Sequence, residues 1–295
     1  MKYRLPLTLA ALWVLTACEK ESTPTEPQTP QEMYAKVREL LQPNVEHDAS
    51  DFAQALEWLK RAAEAGLLQA QTDLGGIYLE GGKGVQADAK QAFHWFSKAA
   101  EQGSKEALYY LGLLLQRGGE IPQDEAKAQE YWLQAAEGGV AEAQFRLGLR
   151  MALAETTTQE GIRWLTRAVQ AKVPKLAAQA ACALGNIYAT GKPGVPQNMA
   201  EAARWYEIAA RGGDSAAQLV YAIMLLQGGV VPQDARQGMV YLKMAAGQDN
   251  PRAIALLVNL LRNGEQSPET EQEANAWAER LEKLRTPTPP PTSGE

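Results

Sequence analysis

The stretch AQTDLGGIYLEGGKGVQADAKQAFHWFSKAAEQG, residues 70–103, decides the fold. Ala70, Leu74, Gly75 and Tyr78 recur at intervals of three and four, the spacing of one buried helix face. A turn, GGKGV, follows. A second helix opens at Asp88, presents Ala92, Phe93, Trp95, Phe96, Ala99 and Ala100, and stops at Gly103. The spacing therefore predicts a helical hairpin, and such a hairpin cannot bury its apolar face alone. That makes a search for repeats the next step.

The hairpin recurs along the chain. The aromatics Trp58, Trp95, Tyr131, Trp164, Trp205, Tyr241 and Trp277 occupy equivalent positions of successive second helices. Seven residues before each stand Asp51, Asp88, Asp124, Thr157, Asn198, Asp234 and Thr270. All are preferred N-cap types, whose side-chain oxygen accepts from an orphaned helix N–H. Three residues further on, six of the seven positions carry Glu or Gln, the second half of a capping box, and Lys127 is the exception. In the first helices Leu74, Leu111, Leu147, Leu184, Tyr221 and Leu257 are separated by 37, 36, 37, 37 and 36 residues. The next position is Gly75, Gly112, Gly148, Gly185, Ala222 and Val258, small enough at first for close helix approach. Packing is accordingly expected to loosen towards the C-terminus. Second helices close on Ala-Ala pairs and stop at Gly66, Gly103, Gly139 or Gly213, where a left-handed residue is needed.

The motifs LG-x₂-Y at 74–78 and 184–188, with WF-x-KAA-x₂-G at 95–103, resemble the Sel-one-like repeat, a longer relative of the tetratricopeptide repeat. The resemblance covers roughly residues 50–285. It implies an all-α, right-handed α-solenoid of antiparallel hairpins that binds proteins or peptides and is not catalytic. Some cysteine-rich members of the family carry a disulfide in each repeat, and this chain lacks those cysteines. On this reading residues 31–66 form an N-terminal cap pair. Six hairpins follow at about 67–103, 104–139, 140–173, 174–213, 214–249 and 250–285. Residues 286–295, Pro-rich, form a disordered tail.

The N-terminus reads as an address. MKYR supplies two cations, and the short apolar run that follows suits a cleaved signal rather than a stable span. Leu15-Thr16-Ala17-Cys18 resembles a bacterial lipobox, which implies signal cleavage after residue 17 and lipidation of Cys18. Residues 18–30 then form a Pro/Thr/Glu-rich tether without apolar periodicity. Lys20, two places after Cys18, implies by analogy the outer membrane, with the body facing the periplasm.

The third hairpin breaks the pattern. From first-helix Leu to the next cap the spacing is 14, 13, 14, 13 and 13 elsewhere, but 10 from Leu147 to Thr157. Trp164 to Leu184 then spans 20 residues where every other such step spans 16. A turn is cut, about one helical turn is added after it, and Val173-Pro174 in the added stretch is expected to end a helix.

Composition narrows the function. Net charge is −6 with no Lys/Arg block, which argues against a nucleic-acid footprint. Only Cys18 and Cys182 are present, so no disulfide framework exists. His47, in the loop NVEHDAS, and His94, between Phe93 and Trp95, read as surface or packing histidines. Cys182 reads as a buried small thiol. There is no phosphate loop, nucleophile elbow or metal-spaced set; no cofactor or metal is expected, and the chain is read as no enzyme. Candidate partner-binding residues are those two before and two after the first-helix Leu, which are expected to line a concave groove. They are Tyr109, Leu113, Phe145, Leu149, Asn186, Leu219, Ile223 and Asn259, with Arg146 beside them and Arg262 at the C-terminal end. Tyr, Phe and Arg are the residue types that anchor interfaces. The leading reading is a non-catalytic, lipid-anchored scaffold for a peptide or protein of the cell envelope. Alternatives are an enzyme or binder acting on cell-wall fragments or β-lactams, and a surface-displayed binder of a host protein.

Overall fold

A computed structural model describes residues 27–42, 47–82, 84–264 and 267–285. The signal peptide, Cys18, most of the tether and the Pro-rich tail lie outside them. Described residues form fourteen helices. The chain divides into two compact units, one ending at Leu67 and the other beginning at Leu68.

The first unit is one helix pair, α1 (Pro30–Leu40) and α2 (Ala49–Glu64). Helix α1 opens within the stretch assigned to the tether, because Thr29 and Glu32 close a capping box around Pro30.

The second unit is an all-α solenoid of six hairpins. Their first helices are α3 (Leu68–Glu80), α5 (Lys105–Arg117), α7 (Ala141–Leu153), α9 (Pro174–Thr190), α11 (Ser215–Gln227) and α13 (Pro251–Asn263). The second helices are α4 (Ala89–Glu101), α6 (Glu125–Glu137), α8 (Thr158–Gln170), α10 (Met199–Arg211), α12 (Ala235–Gly247) and α14 (Pro268–Arg285). Within this unit each helix packs on its predecessor and its successor. Helix α7 also packs on α9.

Asp88, Asp124, Asn198 and Asp234 cap their helices as expected, each accepting from the backbone N–H three residues on at 2.9–3.0 Å. The return half of the box is not made in these four. Each cap residue's own N–H instead donates to a carbonyl of the preceding first helix: Tyr78, Leu115, Tyr188 or Leu225, at 2.8–3.0 Å. With that donor already satisfied, the residue three places on has nothing to reach back for, which is why Lys127 is tolerated there.

Complete boxes form where the register slips by one turn. In α2 the cap is Asp48 and in α14 Ser267, so Asp51 and Thr270 are their reciprocal partners rather than caps. Thr157 departs differently: its hydroxyl donates to the Met151 carbonyl at 2.9 Å and sews the short third turn to α7.

In the first five hairpins a large buried side chain of the second helix follows the register aromatic. Phe96, Trp132, Leu165, Tyr206 and Leu242 are each at most 4% exposed. In the first four hairpins this residue lies on the first-helix glycine. A Cβ at Gly75 would lie 2.8 Å from the Phe96 ring, and one at Gly185 would lie 2.7 Å from Tyr206. The register aromatics sit nearer the surface, and several carry a cation over the ring. Arg61, Lys98 and Arg167 stack on Trp58, Trp95 and Trp164 at 4.3–4.9 Å from the centroid.

The expected loosening does not occur in the fifth hairpin. Ala222 replaces the glycine on α11, but Gly238 on α12 restores the close approach, its position leaving only 2.9 Å to Leu226 Cγ. The third hairpin goes further. Gly148 and Gly161 face each other, so backbone meets backbone where the turn has been cut to residues 154–157. The compensating residues lie at the start of α9, which is 17 residues long where the other five first helices have 13. Pro174 opens that helix at its first position, where proline's missing N–H costs nothing. Helix α8 has already ended at Gln170.

Successive hairpins are joined by buried glutamines. Gln144 Nε2 donates to the Ala136 carbonyl at 3.0 Å, and Gln218 Nε2 to the Ala210 carbonyl at 3.1 Å. Each adds a second donor to a last-turn carbonyl of the preceding second helix that already accepts from Gly139 or Gly213, and so ties the next first helix to that turn.

The last hairpin is held differently. Where earlier hairpins turn on Gly103, Gly139 or Gly213, residue 249 is Asp with φ 59°. Arg280 of α14 donates to the Asp249 carboxylate at 2.6 Å and to the Gly247 carbonyl at 3.1 Å. Lys243 bonds Glu273 in parallel at 2.7 Å. The Arg280 hydrogen bond lowers the Asp249 pKa, and the Lys243 hydrogen bond lowers that of Glu273. A carboxylate with a depressed folded pKa contributes stability above its unfolded pKa and loses it as pH falls through the folded value. Amide exchange in α14 is therefore expected to accelerate below about pH 4 before exchange in α5–α10 does. Simultaneous acceleration throughout would contradict this.

Candidate functional site

The ten candidate positions divide by burial. Tyr109 and Leu219 are 9% and 8% exposed and belong to the core, a correction to their assignment as partner-binding residues. Tyr109 packs with Trp132, Leu147 and Trp164, and Leu219 with Leu242 and Leu257. The cause is the stacking of hairpins, which covers these positions with the next pair of helices. Leu113, Phe145 and Ile223 are half-buried and lean on the same clusters or the adjoining one.

Polar candidates are reached by solvent but tied locally. Asn186 is exposed and accepts from the Tyr206 hydroxyl at 2.8 Å. Asn259 accepts from Asn263 Nδ2, and Arg262 donates to Asn275 of α14 at 3.3 Å.

What remains free converges on α7. Leu149 is 37% exposed, and Leu153, one turn on, is 79% exposed, at a first-helix position that is exposed in the other hairpins too and there carries Glu80, Arg117, Thr190, Gln227 or Asn263. Arg146 and Arg150 share a second strip of the helix at the same spacing. Arg150 is paired with Glu125 at the start of α6. Arg146 is half-buried, with its guanidinium 5.2 Å from the Trp132 ring centroid. Its hydrogen bond to Gln116 is long, 3.4 Å from Nη1 to Oε1. Its Nε is buried without a hydrogen-bond partner, and among the described residues it has no ion pair. Trp132, Arg150 and Leu153 were not among the sequence candidates. A signal was present for Arg150, which stands where other first helices carry Ile77, Leu114 or Ile187.

Burial, followed by the nearby Asp214 carboxylate, pushes the Cys182 thiol up to about 12, so it is not a thiolate near neutral pH. His47 Nε2 lies 2.7 Å from the Gln42 carbonyl oxygen, and His94 packs edge-on against Trp95 at 5.1 Å. Among the described residues no three His, Cys, Asp or Glu side chains are placed to hold a metal ion. Among them, too, no helix is long and apolar enough to cross a membrane.

Six segments of the chain match the family model of the Sel1 repeat: 45–67, 68–104, 105–140, 141–172, 178–214 and 215–250. The α13–α14 hairpin lies beyond them; its second helix lacks the Ala-Ala pair and the stop glycine. No curated protein sequence matches the chain. Among solved structures, a Sel1 repeat protein from Oxalobacter formigenes shares 26% identity at a TM-score of 0.70 over 80% of this chain and 96% of its own. A protective antigen present in uropathogenic Escherichia coli strains, displaying an SLR fold, shares 28% identity at a TM-score of 0.73. That match covers 86% of this chain but only 54% of the antigen, so this chain spans about half its length.

Proposed function

The chain belongs to the Sel1 repeat family, whose members generally act as protein-interaction scaffolds, and on that premise we propose that it is a non-catalytic scaffold binding a protein or peptide segment on the first-helix face of its solenoid. The observation that carries this reading is the exposed apolar pair Leu149 and Leu153 beside a half-buried arginine that lacks a carboxylate. Soluble proteins rarely leave grouped apolar side chains uncovered without a partner for them. The binding residues are then Phe145, Arg146, Leu149 and Leu153, with Leu113 and Asn186 flanking.

The body is tethered to a bacterial envelope through lipid on Cys18, at the outer membrane and facing the periplasm. The lipobox-like LTAC of residues 15–18 supports the anchor, and Lys20 supports the sorting. More than one acyl chain makes such anchoring stable.

A photo-crosslinking residue at Leu149 is expected to give a discrete protein adduct in intact cells, whereas one at Arg204, a polar exposed position on a second helix, gives none. Equal adducts at 149 and 204, or none at 149, would overturn the assignment. Labelled palmitate is expected on the wild-type chain and not on Cys18→Ser. Equal labelling would remove the anchor.

A further inference from the structure

We infer that the segment bound on α7 carries a carboxylate that pairs with Arg146, flanked by apolar side chains that cover Leu149 and Leu153. This rests on the reading of the first-helix face as the binding site and adds the chemistry of its partner. Three observations point the same way.

First, Arg146 is a cation without a counter-charge among the described residues. Its ring contact with Trp132 and its long bond to Gln116 orient the guanidinium, yet neither neutralises it. A half-buried charge is costly until paired, and a guanidinium fork matches a carboxylate in two parallel hydrogen bonds. Arg150, one turn away, is already neutralised by Glu125. Arg146 is thus the cation left for an incoming acid.

Second, local charge is reversed. Residues 141–175 together with Glu125, the partner of Arg150, hold six Lys or Arg and four Asp or Glu, a net of +2 in a chain of net −6. An acidic segment is attracted here and repelled by the rest of the molecule. Electrostatic complementarity of this kind selects where a partner lands.

Third, charge and apolar surface lie on the same helix at matching spacing. Arg146 and Arg150 are four residues apart, as are Leu149 and Leu153. A segment that alternates a carboxylate with a pair of apolar residues can satisfy both strips at once. A uniformly acidic or uniformly apolar one cannot.

The test uses the full chain and two fluorescein-labelled twelve-residue peptides: Glu-Leu-Leu-Gln repeated three times, and Gln-Leu-Leu-Gln repeated three times. Anisotropy titration is expected to show the Glu peptide binding about tenfold tighter or more, the scale of one charge-assisted pair. The negative net charge of the protein would by itself give the opposite order. Arg146→Gln, which keeps a polar stem, is expected to abolish the preference, and Arg146→Lys, which keeps the charge but loses the fork, to retain only part of it. Leu149→Ser with Leu153→Ser is expected to weaken both peptides alike. Helical circular dichroism of every variant should match wild type.

Equal binding of the two peptides, binding of neither, or a preference that survives Arg146→Gln would overturn the inference. If the leucine variant still weakens binding while Arg146→Gln does not alter the preference, the binding face stands and only its acidic partner falls. If neither substitution changes binding of a peptide that does bind, the face itself is misplaced.

Discussion

Trp132→Ala is expected to destabilise the chain by roughly 3–5 kcal/mol, the range for removing a large aromatic from a packed core. The side chain is 1% exposed and fills the space between α5, α6 and α7. It lies so close to α5 that a Cβ on Gly112 would stand 2.4 Å from the indole nitrogen. That nitrogen donates to the Tyr109 carbonyl at 3.2 Å. Removal therefore leaves a cavity against Gly112, which has no side chain of its own to fill it. It also removes the platform under Arg146, so the preference for an acidic peptide should fall along with stability. Urea unfolding followed by circular dichroism measures the first effect. A loss below about 1 kcal/mol would show that the ring is not the keystone of the α5–α7 packing. Trp132→Phe keeps most of the apolar area and gives up the hydrogen bond. It should cost much less, about 1–2 kcal/mol.

Gly161→Ala should destabilise by roughly 1–3 kcal/mol, although alanine is the better helix former. The added Cβ would lie 2.4 Å from the Ala152 nitrogen and 2.7 Å from the Gly148 carbonyl oxygen. Both are backbone atoms, which cannot rotate away as a side chain can. Helices α7 and α8 would have to separate, and the four-residue turn between them leaves no slack. The same substitution at Gly76 should have the opposite sign. That glycine sits within α3, and a Cβ added to it would meet nothing within 4 Å. Alanine there should stabilise by about 0.5–1 kcal/mol. Destabilisation at both positions, or at neither, would mean that backbone contact does not set the third hairpin's geometry.

The hairpins themselves were legible because each is a local object. Leu–Gly and aromatic positions recur at 36 or 37 residues, and local helix periodicity converts that recurrence into paired faces. Individual roles within the repeat were less legible. The register aromatic Trp95 is buried, but Phe96 beside it goes deeper, and Tyr131 yields the core to Trp132. Adjacent residues on a helix differ by about 100° in direction. Sequence spacing alone does not say which of two neighbouring aromatics faces the partner helix. Caps behaved similarly: Asp51 and Thr270 were one turn off because both ends of a capping box are acceptor-bearing residues three apart.

The proposed site was half legible. Three of its residues, Phe145, Arg146 and Leu149, are among the candidates that position within the repeat names. Tyr109 and Leu219 were misassigned because exposure on a first helix depends on what the next hairpin covers, a contact between segments roughly one repeat apart. Leu153 lay outside the positions considered. The same position is exposed in every other first helix, where it carries Glu80, Arg117, Thr190, Gln227 or Asn263, so the signal was the leucine itself.

By itself, then, the sequence determined the repeat, its length, the helix boundaries to within a turn, the all-α solenoid and the irregularity at residues 147–184, since each follows from periodicity and capping within a single repeat length. The tertiary structure alone decided which apolar side chains are spent in the stacking and which are left over. It buried Tyr109, restored with Gly238 the close approach that Ala222 had loosened, and left Arg146 without a carboxylate among the described residues. The physical reason is that burial and charge pairing are properties of a residue's neighbours, and in a solenoid many of those neighbours belong to the next repeat.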